Sequence, residues 1–374
     1  MSGLNWPPKS VPNFKAALRD MKSRDAQWRR RAAVALGRAK EEERERAAEA
    51  LGVLLDDKDA AVRMEAVLSA GKLKASSLAD RIAGLIDSDS AEQRMAALDF
   101  LSVSGTARHF DKVREVLSGD RDPDVRTMAL ETLSYLDPDR CYELVVEALA
   151  RPDDHGPEQL RTLIVLLSEL GGSRDVGVLE KFLKHASIGV KVEAARILVL
   201  RGRVDDEELM TSILLDAIRT VKDKRMRELA MEGLSRLRND RVLEEAQWNF
   251  RRLFIARLEK IYWAAICSRA GDKKAGKYLE RMYNGRNVWA AAKVLWAAGL
   301  CGLESWIPIM EDNIRRGAGS EENSFIHSAI LSLGVMGCEA SAEALARLSE
   351  ELKDENPYFA GLIAGEMEVW EKSY

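Results

Sequence analysis

The stretch Asp122–Leu136, DPDVRTMALETLSYL, sets an acid three residues ahead of a bulky apolar residue and four ahead of an arginine. Counting from Asp122, Val125 comes third, Arg126 fourth, Ala129 and Leu130 seventh and eighth, and Leu133 and Leu136 complete the set. Spacings of three and four return side chains to one helical face, so the segment reads as an amphipathic helix with an acidic start. The same template fits at six more anchors. Asp25 leads to Trp28, Arg29, Ala32, Ala33 and Leu36, and Asp59 to Val62, Arg63, Ala66, Val67, Ala70 and Leu73. Ser90, Pro157, Ser187 and Asp223 precede the cations Arg94, Arg161, Lys191 and Arg227 in the same phase. The seven anchors stand 34, 31, 32, 35, 30 and 36 residues apart, a period that marks a stacked array of supersecondary units.

Each anchor follows another helical segment, as in RERAAEALGVLLDD before Asp59 and SSLADRIAGLID before Ser90. The unit is therefore a helix A, a short polar turn and a helix B. Asp, Ser or Pro at the turn is the expected start of helix B, because a side-chain oxygen satisfies an orphan N–H and proline suits a first turn.

At 374 residues the chain exceeds a usual single core, and the repeat selects an array over separate globular domains. A hydrophobic share of 46%, a charged share of 32% and nine prolines fit an ordered helical protein. With a net charge of −4, no strong bulk attraction to nucleic acid or anionic membrane follows. The start, MSGLNWPPKSVPNF, has no apolar run of signal-peptide length, so cytoplasmic residence is the default expectation. Cys141, Cys267, Cys301 and Cys338 lie far apart without a Cys-x-x-Cys pair, which argues for reduced, buried thiols. The run VWAAAKVLWAAGLCGL is too short to span a bilayer and carries Lys293, so it reads as a buried repeat helix.

The pattern D-x-x-V-R-x-x-A-(A/L)-x-x-L in units of this length resembles the HEAT-repeat family, in particular the bacterial HEAT-like repeats first associated with phycobilin lyases. The resemblance is strong over residues 1–238, repeats 1–7 with an N-terminal cap. It continues in fainter, aromatic-rich form over 239–374, where EKIYWAAICSRAG, NVWAAAKVLWAAG, FIHSAILSLGVMG and PYFAGLIAGEMEVW have the phase of four further B helices. The resemblance implies an all-α, right-handed solenoid of about eleven helix pairs, with B helices lining the concave side. It also implies that the cation at the fourth position bonds a turn acid of its own or a neighbouring repeat. A ladder of cations could instead track phosphates, but the structural reading is preferred.

No catalytic motif emerges. GDKKAGKY, Gly271–Tyr278, imitates a phosphate loop but has Tyr278 where a magnesium-binding hydroxyl belongs, and it follows a helix where that loop needs a strand. The four histidines are scattered and none precedes a glutamate, so the His-Glu pairs of HEAT-like di-iron hydroxylases are missing. Neither a metal nor another cofactor is expected. HEAT-like DNA glycosylases use a basic concave face, which an acidic chain does not suggest. A phycobilin-lyase-like enzyme or chaperone remains the alternative reading, although the likeness lies in the scaffold alone, and nucleic-acid binding by a HEAT-like fold is the third.

The expected function is a non-enzymatic scaffold or adaptor that captures a helix or extended peptide of another protein. On helix B the fifth, ninth and thirteenth positions point away from the stacking face. At the C-terminal end these positions nominate His327, Leu331 and Val335, then Phe359, Ile363 and Met367, with Trp289 and Trp296 beside them; the competing reading makes them core. Near the N-terminus, ten Lys or Arg stand against two acids in the first forty residues, and Arg30, Arg31, Arg38 and Lys72 form a basic patch. Either this patch meets an acidic partner, or it is the solvated end of the array.

Overall fold

The computed structural model describes residues 12–171, 176–285, 287–317, 324–353 and 356–373. Among them there is no β-strand, and the helices fall into eleven A–B pairs. The B helices are Ala26–Leu36, Ala60–Leu73, Ala91–Ser104, Pro123–Leu136, Pro157–Gly171, Ile188–Leu200, Lys224–Arg236, Arg257–Arg269, Val288–Cys301, Ser324–Met336 and Pro357–Ser373. The fold is an all-α solenoid of stacked helix pairs, as the period requires. One A element, Gly177–Lys184, is a 3-10 helix; Gly177 and the β-branched Val176 and Val178 around its start weaken the α form there.

The anchors do what their chemistry predicts. Asp25, Asp59, Asp122 and Asp223 each cap helix B, accepting from the backbone N–H of Gln27, Ala61, Asp124 and Met226 at 2.8–2.9 Å. Behind them the third, seventh, eighth and eleventh positions are buried, apart from the half-buried Trp28, with Val125, Ala129, Leu130 and Leu133 all at 0% exposure. Small residues bring neighbouring B helices close together. A Cβ on Gly299 would run into the Ser332 carbonyl of the next B helix, so only glycine permits that approach.

The arginine ladder is structural, with a different acid from the one the anchors suggest. Arg29 forms a bidentate pair with Asp57 (2.6 and 2.8 Å) and also donates to the Ser23 and Arg24 carbonyls. Arg94 does the same with Asp120 (2.6 and 2.8 Å) and the carbonyls of Ser88 and Asp89. Asp57 and Asp120 stand two residues before the capping acids and accept from the N–H of Asp59 and Asp122. Each therefore ties the turn of one repeat to the B helix of the repeat before it.

The chain divides into two compact units, Met1–Ala150 and Arg151–Tyr374. The division falls inside the regular repeats, at RPDDHG, and not where the sequence becomes irregular at 238/239. Arg227 of the seventh pair holds Glu259 of the eighth in a bidentate pair at 2.7 Å, so the regular and divergent repeats are stitched together at that point.

Candidate functional site

In the first unit the free face of the B helices is open. Leu68, Val103 and Tyr135 are 39, 52 and 71% exposed on three successive B helices, with Met64 and Met95 half-buried beside them. All five occupy the fifth, ninth or thirteenth position after their anchors. Of the basic patch, Arg30 is bonded to Glu65 at 3.2 Å and Arg31 lies over the Trp28 ring, while Arg38 and Lys72 are exposed. Half of that patch is thus engaged within the repeat array.

In the second unit the corresponding face is partly filled by the protein itself. Helix Arg257–Arg269 buries Ile261 through Cys267 without a break, including Tyr262 and Trp263. It is covered because helices Lys224–Arg236 and Val288–Cys301 meet across it. Lys293 pairs with Glu228, and the Trp296 Nε1–H donates to Glu232 at 3.2 Å. Burial pushes the Glu232 carboxyl above the usual range, opposed by Arg196 and by the Trp296 bond. Arg236 reaches further, donating to the Val335 carbonyl at 2.9 Å. Trp296 and Val335, nominated as groove residues, are half-buried elements of this closure.

Phe359 and Ile363 require a correction, because both are fully buried. The last B helix is capped by Asn356, which accepts from the Phe359 N–H at 3.2 Å. Counted from that cap, Phe359 is third and Ile363 seventh, both stacking positions; the groove assignment came from a register slipped by two. Met367 is half-buried. The tenth repeat keeps its expected phase: Leu331 is 38% exposed, while His327 is half-buried, with Nε2 2.9 Å from the Tyr358 hydroxyl and its ring edge-on to Phe359. His327, Leu331, Trp289 and Trp296 therefore do not line one groove with Phe359 and Ile363.

Strongly exposed apolar residues also lie where the sequence pattern did not place them, at the A-to-B edge of the eighth and ninth pairs. Leu253 and Phe254 stand out at 86 and 94% exposure in the turn after helix Asp240–Arg251. Trp248 (68%), Leu258, Val288 and Trp289 (79%) are the other large apolar residues exposed on the same two pairs. Lys293 Nζ lies over the Tyr262 ring, and both residues are sixth in their helices, so Leu258 and Trp289, both second, are level at the two helix starts. A signal was present in RRLFIARLEK: the bulky apolar Leu253, Phe254 and Ile255 occupy a turn where the seven regular anchors are Asp, Ser or Pro.

The titratable groups offer little chemistry. Burial pushes the Cys141 and Cys301 thiols up to about 11 and Cys267 to about 12, far from nucleophilic thiolates. Among the described residues no three His, Cys, Asp or Glu side chains cluster as metal ligands. A cavity of about 390 Å³ is lined by Arg236, Arg238, Arg269 and Glu207, but Arg236 and Arg269 are committed to main-chain carbonyls at helix ends.

No protein-family model matches the sequence, and no curated protein matches it. Solved structures do. Importin beta in an ammonium sulfate condition aligns over 96% of this chain with a TM-score of 0.55 at 13% identity. Importin beta in a polyethylene glycol condition aligns over 95% with a TM-score of 0.52 at 12%. This chain spans 57 and 59% of those two chains. The CpcE–CpcF complex of phycocyanin lyase from a Nostoc species reaches a TM-score of 0.33 at 16% identity, covering 90% of this chain and 98% of its own, too distant to carry an argument. At such identities the likeness is one of fold, and the fold is that of a helical-repeat solenoid.

Proposed function

We propose that this protein is a non-enzymatic scaffold that holds a segment of a protein partner on the free face of its N-terminal B helices. One observation carries the reading: Leu68, Val103 and Tyr135, with half-buried Met64 and Met95, put apolar side chains on the free face of three successive B helices, beside the exposed acids Asp99 and Glu131. Solenoid faces built this way suit an extended or helical ligand, and methionines adapt to its shape. Protein binding is also consistent with the importin-like fold.

The test is capture of partners from the source cell by the full chain and by Leu68→Glu/Tyr135→Glu. Because both side chains are exposed, the melting temperature should hold, whereas affinity for a specific partner should fall by roughly 2 kcal/mol or more. Unchanged capture by the double variant rejects the strip. Binding of a tetrapyrrole and its transfer to a carrier protein would instead favour a lyase.

A further inference from the structure

The exposed edge of the eighth and ninth pairs makes no use of the repeat architecture. Leu253 and Phe254 protrude almost completely into solvent, so they are knobs without walls and the occupant must supply the receptive phase. Two exposed tryptophans belong to the same pairs, Trp248 five residues before Leu253 and Trp289 level with Leu258 at the neighbouring helix start. The charge around the knobs is predominantly positive. Between Arg251 and Lys260 there are four cations and a single acid, Glu259, which is committed to Arg227. That pair sets the start of helix Lys224–Arg236 level with this edge, bringing the exposed Lys222, Lys224 and Arg225 alongside, with the capping Asp223 the one acid among them. Helix Arg257–Arg269 begins at the same edge with no side-chain cap at Ala256, leaving its positive end toward the same phase.

We propose that this edge docks on an anionic lipid bilayer. Leu253 and Phe254 enter the boundary of the acyl chains, Trp248 and Trp289 lie at headgroup depth, and the arginine and lysine collar faces the lipid phosphates. Protruding apolar side chains, interfacial tryptophans and flanking cations are the combination that a bilayer surface rewards together. A protein pocket would need a hole shaped to each knob, whereas a fluid interface needs none. The attraction is local, since the whole chain carries a net charge of −4. Attachment is peripheral, because no helix among the described residues is long and apolar enough to cross a membrane. The inference does not depend on the N-terminal strip, which lies in the other unit.

Sedimentation of the full chain with vesicles of phosphatidylcholine, with and without phosphatidylserine, tests it. The protein should pellet with the phosphatidylserine vesicles at low salt and be released by added salt. Leu253→Ser/Phe254→Ser should weaken binding about tenfold or more without moving the melting temperature. Arg251→Gln/Arg252→Gln should weaken it by about fivefold per charge removed and flatten the salt dependence. Leu68→Glu/Tyr135→Glu, which tests the scaffold reading, should leave vesicle binding unchanged. The proposal is overturned if the protein does not pellet with anionic vesicles or if Leu253→Ser/Phe254→Ser pellets equally well. It is equally overturned if light scattering shows a dimer that this double variant disperses, which assigns the edge to a second copy.

Discussion

At the residue scale, the arginines at the fourth helix position act through geometry that a charge count does not reveal. The Arg29 guanidinium holds the Asp57 carboxyl below the usual carboxylate range. At Asp120 burial pushes upward, but the Arg94 bond and the Asp122 N–H prevail and the carboxyl again lies low. A depressed folded-state pKa means that the stabilisation is complete above the ordinary Asp value of about 3.9 and is lost as pH falls through the lower folded-state value. Acid unfolding of the parent protein should therefore extend below pH ~4, and Asp57→Asn should remove part of that dependence, as measured by circular dichroism across an acid titration. Arg29→Ala should lower the melting temperature by several degrees, because it leaves Asp57 in a largely covered site without its partner. The two registers at the C-terminal end separate just as sharply. Phe359→Ala, at 0% exposure, should cost roughly 3–5 kcal/mol in chemical denaturation, whereas Leu331→Ser should change stability by under about 1 kcal/mol.

At the scale of the element, helix Arg257–Arg269 shows how neighbours override a pattern. Its sequence is not uniformly apolar, yet Ile261–Cys267 are all buried because Glu228, Glu232, Lys293 and Trp296 close over it from both sides. Those polar residues occupy positions that face away from stacking in an ideal repeat, and they find one another across the buried helix. Close approach of B helices is the other device. Gly299→Ala should destabilise the protein by roughly 1–3 kcal/mol, through the clash with the Ser332 carbonyl, while Gly119→Ala, with open space around its Cβ position, should not; thermal melts of the pair provide the check.

At the scale of the whole molecule, two compact units predict that unfolding is not one all-or-none step. Six of the eight tryptophans lie after residue 240, so indole fluorescence reports mainly on the second unit while far-ultraviolet circular dichroism reports on both. Urea titrations followed by the two probes should give transitions that do not coincide; superimposable curves would mean that the units unfold together. The repeat period, helix pairing, capping acids and buried stripes were legible in the sequence because each is a local relation, set by a 3.6-residue turn and a side chain reaching its own backbone. That locality also explains why the tenth repeat kept its phase. It failed in the eleventh repeat, where Asn356 replaces the usual Asp, Ser or Pro, the anchor went unseen, and Phe359 and Ile363 passed for surface. Tertiary structure alone decided which free faces remain free: Trp296 and Val335 were taken up by helix Lys224–Arg236, while Leu253, Phe254 and Trp289 were left standing in solvent. The physical reason is that exposure depends on what lies across from a residue, and in this chain the partners of those faces come from 64 to 99 positions away, far beyond the one-repeat period that the sequence displays.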